Sequence, residues 1–266
     1  MKILARHVIG TVSLWMITTS ALCLNLPWPV PGSSDDNAFA SSSHWFVGGY
    51  LGVQRPDVNT LYTINNGSGY PPPNNVDSYS TNFNNTAAAA VEGGYRWARA
   101  ADWIPAYALS LRYQHSFATD VGNQIEQFSL SSFNNYTYKW DISSDIFLVM
   151  GKLNLFEWRH MLPFVTGGAG VALNNASNYH ETAVSGVTAR TSPGFATRSS
   201  GEFAWDLGLG VDWKLYPQLI MTLDYEHQHL GTVQSGYGAG SWSGQRLRSG
   251  TYNNNGVMFG MVYLLS

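Results

Sequence analysis

The segment 202–215, EFAWDLGLGVDWKL, changes character at every second residue. Phe203, Trp205, Leu207, Leu209, Val211, Trp213 and Leu215 share one face, and Glu202, Ala204, Asp206, Gly208, Gly210, Asp212 and Lys214 share the other. A period of two is the mark of a β-strand with chemically distinct faces. Similar segments recur at roughly 44–54, 86–97, 105–117, 138–155, 162–173, 218–229 and 255–265, eight in all. Most reach or exceed the ten residues or so that a tilted strand needs to cross a bilayer, whereas ordinary strands run to about five or six. Within 138–155 the alternation fails after Asp145 (IFLVMGKLNLF), so a bulge or register change is expected there.

The connections alternate in length. ARAADWI, EWRHM and YPQ are short, whereas the stretches near 55–85, 118–137, 174–201 and 230–254 are long, polar and rich in Asn, Ser and Gly. Short turns at one end and long loops at the other are the asymmetry of a closed up-and-down membrane barrel, with turns periplasmic and loops outside. Only 12% of the 266 residues are charged and 14% are aromatic, which leaves little solubilising surface. A net charge of −3 gives no basic footprint for nucleic acid.

An eight-stranded lumen is only just wide enough for side chains, so it cannot hold the bulky face of every strand. The bulky face must therefore point outward to lipid and the small-and-charged face inward. Strand 218–229 agrees, setting Leu219, Met221, Leu223 and Tyr225 against Thr222, Asp224, Glu226 and Gln228. Strand 86–97 sets Val91, Tyr95 and Trp97 against Glu92 and Arg96, and strand 105–117 turns Arg112 inward. A salt-bridge plug is expected from Glu92, Arg96, Arg112, Asp206, Asp212, Lys214, Asp224 and Glu226, because unpaired charges in so narrow a space are costly. Lumen-side Gly208→Ser is expected to be mild. Trp45, Trp97, Trp103, Tyr107, Trp158, Trp213, Tyr216 and Tyr263 fall near the turn-side ends, where amphipathic rings suit the headgroup zone.

Residues 1–40 read as an exported leader: Lys2 and Arg6 precede an apolar run, with cleavage after Ala21 or after Ala40. Cys23, the single cysteine, lies in that leader, so no disulfide framework is expected in the mature chain, 41–266. His227 and His229 share a face near the outer rim, but Glu226 points the other way, so no metal site is expected. His115 and Ser116 lie on opposite faces and no G-x-S-x-G elbow occurs, so neither catalytic residues nor a cofactor are expected.

The opening strand HWFVGGYLGVQ, the strand LPFVTGGAGVAL and the closing strand GVMFGMVYLL resemble those of eight-stranded Gram-negative outer-membrane barrels, similar to opacity-type surface antigens and the membrane domain of outer-membrane protein A. The resemblance covers 44–266. It implies an all-β, closed antiparallel barrel in outer-membrane lipid and lipopolysaccharide, with loops free to meet a host or matrix ligand. It also implies that Val257, Phe259, Met261, Tyr263 and Leu265 are the signal read by the barrel-assembly machinery, with Leu in place of the family's terminal aromatic. No domain is expected beyond the last strand. A surface-display or adhesion role follows as the first expectation; the alternatives are a narrow porin-like channel and, more remotely, a lipid A-modifying enzyme.

Overall fold

The computed structural model describes residues 43–58, 61–101 and 103–265. The leader expected over 1–40, its cleavage site and Cys23 lie outside the described residues. Strand β1 (His44–Val58) is followed by three short strands, β2 (Leu61–Asn65), β3 (Val76–Ser80) and β4 (Asn82–Phe83). Seven longer strands follow: β5 (Thr86–Ala98), β6 (Trp103–Glu126), β7 (Asn134–Phe156), β8 (Met161–Ala183), β9 (Arg198–Tyr216), β10 (Leu219–Gln234) and β11 (Arg248–Leu265).

Among the described residues β1 and β5–β11 form an antiparallel ring. Each strand pairs with its neighbours in sequence, and β1 closes the ring on β11 from Trp45↔Leu265 to Val58↔Tyr252. In hydrocarbon an open edge would strand backbone N–H and C=O groups, which closure avoids. The facing read from the alternation holds: Leu209 is 61% exposed on the outside, while Asp206, three residues earlier, is fully buried inside. An outward apolar band runs round the wall, carried by residues such as Leu51, Val91, Leu111, Val149, Leu223 and Phe259. Aromatics flank it on the turn side. Trp97 stacks on Tyr107 with centroids 5.1 Å apart, Trp45 meets Tyr95 edge-on at 5.2 Å, and Trp103, Trp158, Trp213 and Tyr216 are exposed.

The register change expected near Asp145 falls just before it: opposite Ser144 and Ile142 of β7, strand β6 steps from Ser116 to Thr119, whereas from Asp145 to Asn154 both registers of β7 are continuous. The alternation fades because Ile146, Leu148 and Met150, all buried, make the inward face of β7 apolar too, while Phe147, Val149 and Leu153 face out. A further shift lies between Ser177 and His180 of β8, where Asn178 is left-handed. One expectation is corrected: the long connections are not mere loops, for β6, β7 and β8 continue well past the band, and β3 and β4 pair with the upper part of β6. At Gly208 a Cβ would stand 2.5 Å from Thr166 Oγ1, the end of a side chain, so a substitution there requires that hydroxyl to move.

Two tests follow. A membrane-impermeant biotin reagent on intact cells should reach residues near Tyr70, Asn134, Ser185 and Gly238 but not Arg159 or Pro217; the reverse pattern would invert the topology. Leu209→Arg, on the lipid face near the middle of the band, should cost about 2–4 kcal/mol in urea unfolding from bilayers.

Candidate functional site

The lumen is filled in layers, and each layer follows from the inward residues that the registers bring to one height. At the turn side Phe46, Ile220, Val262 and Leu264 close the bore. Above them Asp212 accepts from Lys152 Nζ (2.6 Å), Thr222 Oγ1 (2.8 Å) and Asn154 Nδ2 (3.0 Å). Arg96 borders the same pocket, a cavity of about 20 Å³, roughly the room for one water.

The next layer centres on Arg112. Its Nε donates to Glu92 Oε2 at 2.9 Å and its Nη2 lies 2.8 Å from the same oxygen, while Nη1 donates to Glu226. Ser110 Oγ supplies a further hydrogen bond to Glu92 at 2.6 Å, and the guanidinium lies 4.8 Å from the Tyr50 ring centroid. One cation thus bridges β5 and β10 across the bore. Above it Gln54, Gln114 and Gln228 interlock, with Ser116 and Asn254 donating to Gln54 Oε1. Each amide both donates and accepts, so this layer needs no net charge.

Of the eight charged residues proposed for the lumen, seven are buried there: Glu92, Arg96, Arg112, Asp206, Asp212, Asp224 and Glu226. Lys214 is not; it sits at the turn-side rim, its Nζ 2.8 Å from Glu157. Asp206 and Asp224 are 0% and 3% exposed, and their carboxylate oxygens have no hydrogen-bond partner among the described residues. Lys152 escaped the sequence reading because its strand hides the alternation. Its position, an even step from Asn154 and Met150, was the available signal. Val257, Phe259, Met261, Tyr263 and Leu265 all lie on the outward face of β11.

A wall that is apolar outside, closed on itself and packed with paired polar groups inside is stable only with lipid around it. The described residues form a closed eight-stranded transmembrane β-barrel. No protein-family model matches the chain, and no curated protein does either. Among solved structures, the barrel is similar to Neisserial surface protein A (9% identity, 84% of this chain and 99% of that one, TM-score 0.42). It is likewise similar to outer membrane protein OprG from Pseudomonas aeruginosa (12% identity, 85% and 97%, TM-score 0.46). A third similarity is to outer membrane protease OmpT from Escherichia coli (9% identity, 84% and 96%, TM-score 0.45).

The barrel's outer end has a second, apolar core. Tyr62, Ile64, Tyr79, Val121, Ile125, Tyr138, Trp140, Phe195, Leu230, Val233, Leu247 and Tyr252 pack there, drawn from all four outer connections and the strands beneath. Arg190 ties those connections together. It donates to Asp77 (2.6 Å) and to both oxygens of Glu181 (3.1 and 3.2 Å), and stands over the rings of Tyr136 and Trp242. Burial by itself would depress the Arg190 pKa, but Glu181 and Asp77 hold it above its usual range. Burial, with Tyr79 and Glu181 close by, pushes the Tyr179 phenol up. Sequence reading missed this cap, since its aromatics are spread over segments that looked like polar loops.

Arg112→Ala should leave Glu92 and Glu226 facing each other without a counter-charge, at a cost of about 3–5 kcal/mol read as a lower urea midpoint. Replacing the trio together, Arg112→Met with Glu92→Gln and Glu226→Gln, should cost less than that single change; equal losses would mean the network is not coupled.

Proposed function

We propose that this barrel is a display protein, holding a folded extracellular cap above the membrane for contact with a host-cell or matrix partner. The observation that carries the reading is the double closure of the bore, by the Arg112 and glutamine layers at membrane level and by the aromatic core above them. A wall whose interior is occupied at both levels has its accessible chemistry on the outside. The cap exposes side chains suited to recognition: Tyr70, Leu130, Phe133 and Tyr237, with Phe128 between Tyr70 and Phe133 at 5.7 and 6.0 Å and Arg246 over the Tyr237 ring at 3.8 Å. Aromatics and arginine are the residues enriched in protein interfaces. On this reading the barrel is not an enzyme, and β11 carries the residues that the assembly machinery reads.

A second reading, a narrow cation path, draws on one observation, the two lumen carboxylates Asp206 and Asp224 that lack a donor. Planar-bilayer recording separates the two. For a display protein the refolded barrel gives no stepwise current, and binds host cells or matrix proteins in a manner lost on shaving the cap with protease. Steady unitary currents that fall in Asp206→Asn or Asp224→Asn, with no cell binding, would favour the channel.

A further inference from the structure

The outer rim of the lipid band carries two imidazoles that the display reading does not use. His227 and His229 alternate with inward Gln228 on β10, so both face outward, directly above Tyr225 and Leu223 on the same face. Each is half-buried and each is held by the neighbouring strand. His227 Nδ1 lies 2.8 Å from Asn255 Oδ1, and His229 Nδ1 lies 3.0 Å from Asn253 Oδ1. Those asparagines are the direct cross-strand partners, His227↔Asn255 and His229↔Asn253. A carbonyl oxygen can only accept, and Asn255 Oδ1 also accepts from the Tyr225 hydroxyl at 3.1 Å. Nδ1 is therefore the donor on both rings, and in the neutral imidazole Nε2 is left with a lone pair. Neither Nε2 makes a hydrogen bond to the described residues. On the other side Trp205 of β9 limits ring motion, its centroid 5.4 Å from His227 and 5.6 Å from His229, nearly parallel to the latter.

We propose that His227 and His229 form a two-imidazole site for a borderline divalent transition-metal ion at the cell surface. Residues two apart on a strand stand about 7 Å apart at the backbone. Two imidazole arms can close that distance around one ion, with metal–nitrogen distances of about 2.0–2.1 Å. What distinguishes this pair from ordinary surface histidines is the layer behind it: a ligating histidine characteristically gives its other N–H to an oxygen that fixes tautomer and ring, and here both rings have that oxygen already in place. Imidazole nitrogen selects copper, nickel and zinc over magnesium and calcium, and the order of intrinsic affinity places Cu²⁺ first. The chain supplies two ligands and water completes the coordination. Inward Glu226, bound to Arg112 on the lumen side, takes no part.

The test uses the untagged mature barrel, refolded in detergent micelles and titrated with Cu²⁺ alone. One ion should bind per barrel, and pulsed electron paramagnetic resonance should find two imidazole nitrogens on that copper. His227→Gln or His229→Gln should abolish that two-nitrogen signal. Asn255→Leu or Asn253→Leu, which frees one ring, should weaken binding about 10–100-fold. His115→Gln, at a separate outward histidine paired with Asp145, should change neither. Heat-dependent gel mobility would show that each variant remains a folded barrel. A copper signal with one imidazole or none in the folded parent, or one unchanged in both histidine variants, would overturn the proposal.

Discussion

Everything in this molecule depends on backbone closure. Hydrocarbon offers no partner for an unpaired N–H or C=O, so the first and last long strands must meet, and β1 does so along nearly its whole length against β11. Closure with eight strands then fixes the bore, and the bore fixes which side chains can stand inside. Only small residues leave room for long ones, which is why Gly94, Gly208, Gly210 and Gly260 lie where a Cβ would strike a neighbouring strand or a lumen side chain.

Within that bore polar groups are tolerable only in company. Arg112 meets two glutamates from opposite sides, Asp212 collects three donors, and the glutamines satisfy one another. Such a network does little net work for stability compared with an apolar filling, but losing one member leaves the others buried and unpaired. Gln228 joins the glutamine layer to the Arg112 layer through Glu226 at 3.4 Å, while the oxygens of Asp206 and Asp224 stay outside the hydrogen bonding among the described residues. The outer half is built on another principle. Above the band water is available outside, so the inward faces of β6, β7 and β8 can be aromatic and apolar, and the connections fold down on them as on an ordinary core.

Legibility tracked how cleanly one physical rule acted on each segment. In β9 one face met lipid and the other a polar lumen, so Leu209 and Asp206 could be placed from the alternation alone. In β7 both faces are apolar through the band, and periodicity could not tell inside from outside, which hid Lys152. Lys214 shows the opposite error: its parity is inward, but at the strand end parity no longer implies enclosure, and Glu157 in the adjacent turn takes its charge. The cap was invisible for a further reason. Asp77 is 113 residues from Arg190 and meets it and Glu181 only because two connections converge.

The sequence by itself determined the class of fold, the number of long strands, the lipid-facing side of most of them and the end at which the short turns lie. All of these follow from local periodicity and connection length, which need no knowledge of partners. The tertiary structure decided which inward charges pair, which are left over, that the bore is filled at two heights, and that His227 and His229 are each oriented by an asparagine of β11. Those are matters of register between strands. Register depends on closure of the whole ring, a property that no single segment carries.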